Sequence, residues 1–288
     1  MPARPADPSP RDPRRDTGRS ARADRRRDAD RRFGVRLFAS AAVAAAAAVL
    51  FGLLLALVES GWGPLRHLDA GAARRLNRTA LDHPAWTGTL RFLSDVVWDP
   101  VTLRVAVALL ILWLVHRRAW RLATWSAVTA VTGGLIGLLA KAVVERARPS
   151  LPDPVAHAPG FSFPSGHAMT ATTSFAILLL VLLPVVRRRL RPLCWAVAGL
   201  SVLGTGFTRV ALGVHWFSDV VGGWVLGLAV VALTGWAFEA WRADAGLGRT
   251  DVGEGLEPEL GGDDPEGSGA RRGTATHPTG ARDGGTTE

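Results

Sequence analysis

FPSGHAMTATTSFAILLLVLLPVV, residues 163–186, decides the fold. Its first residues are polar or helix-starting, and a long apolar run succeeds them. A helix over 167–186 would be about 30 Å long at 1.5 Å per residue, the thickness of a bilayer's hydrocarbon core. Comparable runs recur on both sides of it. They predict membrane helices at 37–58, 98–115, 121–144, 167–186, 192–210 and 218–241, because only a helix satisfies its own backbone in lipid. The chain is therefore read as all-α and polytopic, a six-helix transmembrane bundle over residues 37–241.

The 288 residues carry a formal net charge of +9, concentrated outside those runs. Residues 1–36 mix Arg, Asp and Pro, and residues 242–288 are rich in Gly, Asp, Glu and Thr. Neither tail can bury enough apolar surface to offset its ordering entropy, so both are expected to be disordered. The run at 37–58 exceeds a usual signal-peptide core and reads as an uncleaved anchor. Cys194 has no second Cys to pair with, and it reads as a small buried hydrophobe.

Six spans put both termini on one side. The Arg-rich leader, HRRAWR at 116–121 and RRRLR at 187–191 fall on that same face, so it is expected to be cytoplasmic in a cell membrane. The connections at 59–97, 145–166 and 211–217 then face outward. The first of these is expected to hold a short interfacial helix, with Leu68, Ala72 and Leu76 opposite Arg74, Arg75 and Arg78. Trp62, Trp98, Trp120, Trp216 and Trp241 sit near span ends, as an aromatic belt requires. Gly223 and Gly227 would let the last helix approach a neighbour closely, a packing role preferred to a dimer contact.

The polar residues of the outer connections fall into three segments: KAVVERARP at 141–149, FPSGH at 163–167 and TRVALGVHWFSD at 208–219. Lys141 and Arg148 are seven apart, so on a continuing helix both cations point the same way until Pro149 breaks it. Two converging cations need an anion. A helix beginning near Pro164 would aim the unpaired amides around Ser165, Gly166 and His167 at that anion, with its dipole's positive end. Ser165 can add a hydroxyl, and His167 can move protons near neutral pH. His215 and Asp219, four apart, share a helix face, so Asp219 can fix the imidazole tautomer and leave the other nitrogen free to attack. Arg209 needs a turn near Gly213 to swing back over the site. Glu145 and Arg146 read as exposed loop charges outside it, His157 as a surface residue, and Asp95 and Asp99 as polar flanks of the second span.

These three segments resemble the signature of the type 2 phosphatidic acid phosphatase superfamily, K-x6-R-P, then P-S-G-H, then S-R-x5-H-x3-D. Order and spacing match, and Thr208 stands where the family usually has Ser. The resemblance covers about residues 60–241 and implies a lipid phosphate substrate. It implies His215 as a nucleophile forming a phosphohistidine, Asp219 orienting it, and His167 as general acid and then base. Lys141, Arg148, Arg209, Ser165 and Gly166 would hold the phosphate oxygens. The implied scheme needs no cofactor and no metal.

The substrates this family suggests are phosphatidic acid, undecaprenyl pyrophosphate and phosphatidylglycerol phosphate types, met at the outer face. Two rival readings are a lipid-phosphate carrier that does not cleave and a vanadium-dependent haloperoxidase, which shares the pocket but belongs to soluble proteins. Nucleic acid is not an expected partner, because a folded basic face with interleaved aromatics is absent. Lys141 is the only Lys among 34 basic residues. An ammonium acts as a point charge where a guanidinium imposes a planar fork, so the exception suggests that a fork would not fit there.

Overall fold

The computed structural model describes residues 40–244, with side chains to residue 242. Almost all of the expected tails, 1–36 and 242–288, lie outside the described residues. Among the described residues eight α-helices run in order: α1 (Ser40–Glu59), α2 (Gly63–Asp82), α3 (Pro84–Phe92), α4 (Pro100–His116), α5 (Trp120–Val144), α6 (Gly166–Leu182), α7 (Arg191–Ala211) and α8 (Phe217–Asp244). Short 3-10 turns lie at Leu183–Val185 and Arg188–Leu190, and no strand occurs among the described residues. Six helical stretches of the described residues are long and apolar enough to cross a membrane. The chain is an all-α, multi-pass membrane protein.

The local sequence explains where these helices start and stop. Asp99 caps α4, its carboxylate accepting from the amides of Val101 at 2.7 Å and Thr102 at 3.2 Å, with Pro100 preset for the first turn. The second apolar stretch is longer than 98–115, because α3 runs into a π-helical turn at Leu93–Val97 just before α4 and the whole spans Pro84–His116. Within α6, Thr172 and Thr173 donate to the carbonyls of Ala168 and Met169 at 2.9 and 3.0 Å, so their hydroxyls stay satisfied in apolar surroundings.

α6 is the centre of the bundle, packed by α4, α5, α7 and α8. Its seam with α8 is the tightest. A Cβ built on Gly223 would stand 2.6 Å from the Ser165 carbonyl oxygen, and one on Gly227 2.9 Å from Thr172 Cβ. The GxxxG pair is therefore spent on a contact within the chain. At the end bearing the α4–α5 and α6–α7 turns, Leu114, Leu122, Trp125, Ile177 and Phe238 form the main apolar cluster.

Two sequence expectations change. The helix after the first span is 20 residues long rather than short, and its buried face runs through Asp69, Ala73, Asn77 and Ala80. Leu68 is exposed, while Ala72 and Leu76 pack partly against the bundle. Polar bonds turn the helix by about one residue: Asp69 is engaged by Ser218, and Asn77 donates to the Asp153 carbonyl at 3.0 Å. Cys194 is half-buried rather than buried.

Candidate active site

The three polar segments meet at the end of the bundle opposite the α4–α5 turn. Lys141 stands in the last turn of α5, but the helix does not continue to Pro149. It ends at Val144, with Glu145 in the left-handed region at φ 48°. The carbonyls that a longer helix would use are taken by other partners. Ser162 donates its amide to the Arg146 carbonyl at 2.8 Å and its hydroxyl to that of Ala147 at 3.0 Å, and Trp216 Nε1 donates to Ala147 at 2.9 Å. Lys141 and Arg148 therefore converge through an irregular loop, and not by helical periodicity.

Arg148 is fixed on many sides. Nε donates to the Gly160 carbonyl at 2.9 Å, Nη2 to those of Pro159 and Phe161 at 3.0 and 3.1 Å, and Nη1 to that of Val214 at 2.7 Å. Nη1 also lies 3.1 Å from His215 Nε2. A guanidinium only donates, so Nε2 must present its lone pair, which places the ring proton on Nδ1. Nδ1 faces Asp219 Oδ2 at 3.4 Å, and the Trp216 amide donates to the same oxygen at 2.9 Å. Burial pushes the His215 pKa down to about 4, against the opposing pull of Asp219 and with further lowering by Arg148 and Arg209. Burial likewise lowers that of Arg148, and Asp219 counters it.

Ser165 caps α6, its hydroxyl oxygen accepting from the Ala168 amide at 3.5 Å while its own amide donates to the Asp219 carbonyl at 2.9 Å. The amides of Gly166 and His167 fall in the first turn, ahead of the helix's own bonding. Lys141 Nζ donates to the Phe161 carbonyl at 3.2 Å and lies 3.8 Å from where a Cβ on Gly166 would stand. The chain turns at Gly213, φ +71°, where a Cβ would come within 2.6 Å of Leu151 Cδ1. The amides of Val214 and His215 then fold back onto the Arg209 carbonyl at 3.2 and 3.3 Å. Arg209 Nη1 donates to Ser94 Oγ at 2.7 Å and lies 3.8 Å from Asp95, while its buried Nε has no hydrogen-bond partner. Thr208 donates to the Thr205 carbonyl at 2.8 Å.

Lys141, Arg148, Gly166, His167, Arg209 and His215 line one cavity of about 830 Å³. Ser165 and Asp219 are buried beside it. The cavity continues between α4, α5 and α6 past Val107, Ile111, Ala127 and Val131, so one space joins a cationic end to an apolar end. His157 lines a separate cavity of about 220 Å³ that shares Arg148 with the first.

The sequence reading left out several residues that the structure engages. Arg146 is no exposed loop charge: Nη1 donates to Asp219 Oδ1 at 2.5 Å and Nη2 to Asp69 Oδ2 at 2.8 Å. Asp69 in turn accepts from the Ser218 amide at 2.9 Å and hydroxyl at 2.6 Å. Asp95, read as a flank of the second span, stands beside Arg209. A signal for Arg146 was present. Once the helix stops at Val144, residues two apart on extended backbone share a side, so Arg146 and Arg148 both turn toward the His215–Asp219 pair.

Residues 122–243 match the family model described as PAP2 superfamily. The chain is 36% identical over 105 residues to a phosphatidylglycerophosphatase B of Bacillus subtilis, a stretch covering 35% of this chain and 51% of that protein. It is 30% identical over 153 residues to an undecaprenyl-diphosphatase of Sulfolobus acidocaldarius, covering 49% of this chain and 65% of the relative. It thus spans about half the length of the first and just under two thirds of the second. A crystal structure of a transmembrane PAP2 type phosphatidylglycerolphosphate phosphatase from Bacillus subtilis superposes with a TM-score of 0.61 at 22% identity, over 72% of this chain and 98% of the other. The part of the chain that matches the PAP2 superfamily model, residues 122–243, carries all three polar segments.

Proposed function

We propose that this chain is an integral membrane phosphatase that hydrolyses a lipid phosphomonoester or pyrophosphate at the outer face of the cell membrane. The observation that carries it is the orientation of His215, whose Nε2 lone pair is turned to Arg148 while Nδ1 faces Asp219, at the polar end of a cavity whose other end is apolar.

In the first step Nε2 attacks phosphorus and the P–O bond to the lipid breaks. His167 gives its proton to the departing oxygen, and Asp219 balances the charge left on the phosphorylated ring. In the second, water attacks phosphorus, His167 takes back a proton, the P–N bond breaks and inorganic phosphate leaves. Lys141, Arg148, Arg209 and the first-turn amides of α6 hold the equatorial oxygens. The charge building on those oxygens meets donors that are already in place. The similarity to two enzymes named for lipid phosphate hydrolysis supports this reading, as does the apolar arm of the cavity, which fits a lipid chain.

The test is phosphate release from lipid phosphates by purified protein in detergent, without added divalent metal. Wild type is expected to turn over. His215→Ala is expected to lose about a thousandfold or more, with its thermal unfolding close to wild type. Binding of lipid phosphates with no release would favour a carrier, and undiminished release by the variant would remove His215 from its assigned role.

A further inference from the structure

The cavity has a cation that the phosphate cup does not use. Arg104 lies on α4, one turn inside Pro100, within a stretch apolar enough to span the membrane. It is exposed to the cavity and has no hydrogen-bond or carboxylate partner among the described residues. An unpaired guanidinium in a spanning helix is costly and marks a functional position by default.

Its place along the cavity defines what it meets. Arg104, Ala108 and Ile111 stand at i, i+4 and i+7 and line the same space. Arg104 therefore heads an apolar stripe on α4, as Lys141 heads one through Leu138, Gly134 and Val131 on antiparallel α5. Each cation is about one turn, roughly 5 Å, from its own helix end on the site's side. A lipid whose terminal phosphate sits at His215 and whose chain lies between α4 and α5 passes Arg104 between the two. A one-phosphate headgroup is already met by Lys141, Arg148 and Arg209, leaving Arg104 without a counterion.

We propose that Arg104 is the recognition site for a second, inner phosphate, so that the preferred substrate is a lipid with two phosphates in its headgroup, the outer of which is removed. This rests on the phosphatase reading above. The inner phosphate could be joined directly, as in a lipid diphosphate, or through a glycerol, as in a phosphodiester bearing a terminal phosphomonoester. Both present the same anion.

The experiment compares three lipids in detergent: a prenyl diphosphate, phosphatidylglycerol phosphate, and phosphatidic acid as the one-phosphate reference. For Arg104→Gln the ratio of kcat/KM for at least one two-phosphate lipid over the reference is expected to fall by about tenfold or more, as for a lost charge-assisted hydrogen bond. Whichever lipid shows the fall identifies the spacing. Arg104→Lys, which keeps the charge, should restore most of the ratio. Ratios within about twofold of wild type for both lipids would overturn the proposal, because an arginine that only reaches for the membrane surface leaves them unmoved. Affinity for the same lipids is measured in parallel. If wild type releases phosphate from none of them the hydrolytic reading fails, and the affinity ratio alone then decides Arg104, its fall in the Gln variant supporting the inner-phosphate site and its constancy refuting it.

Discussion

A donor, Arg148, and an acceptor, Asp219, decide which nitrogen of His215 carries the lone pair, and its burial decides when. With its pKa down at about 4, the ring is neutral at ordinary pH and its nucleophilic form is lost only as pH falls through that value. On account of this group, kcat/KM should be flat from about pH 5 upward and should drop about tenfold per unit below about pH 4. Phosphate release followed against pH at low substrate concentration checks this. An acid limb near the ordinary imidazole value would mean that the ring is solvated during catalysis. Lys141 belongs to the same scale. One of its three protons goes to the Phe161 carbonyl at 3.2 Å, which leaves the others to the cavity from a single point.

At the scale of the element, α2 holds more of the site than a helix resting on a membrane surface would. Through Asp69 it ties Ser218 and Arg146 together, and through Arg146 it reaches Asp219. Arg146→Gln would leave two buried carboxylates without their countercharge, a loss of about 3–5 kcal/mol. Thermal unfolding in detergent should show this, together with a lower kcat. Adding Asp69→Asn to that variant removes one of the stranded charges and should recover part of the lost stability. A double variant no more stable than the single one would place the energy elsewhere. This connection was not legible in the sequence. Spacing rules work within a helix, as for His215 and Asp219, whereas Asp69 and Arg146 meet across 77 positions. The α5 boundary failed for a related reason: Pro149 marked where a helix must have ended, but Ser162 and Trp216, which claim the carbonyls of Arg146 and Ala147 just past Val144, lie far along the chain.

At the scale of the molecule, the spans were legible because a lipid-crossing helix must be long, apolar and self-bonded, all properties of local sequence. Five of the six expected ranges agree with the described helices to within a few residues, and the second differs by the helical lead-in from Pro84. The arginine pattern carries a further expectation. The α4–α5 turn and the loop carrying His157 lie at opposite ends of α5, so reporter fusions after residues 118 and 157 should report opposite sides of the membrane, with 118 cytoplasmic. A common side for both would overturn the orientation. The seam of Gly223 and Gly227 bears on the whole molecule too, since Ser165 caps α6 and Asp219 lies in the first turn of α8, and the Ser165 amide joins the Asp219 carbonyl at 2.9 Å. Two helices in such contact form one rigid wall of the cup. A single methyl added at residue 227, about three turns of α8 beyond His215, would press on Thr172 and the Met169 carbonyl and so on the helix whose first turn carries Ser165, Gly166 and His167.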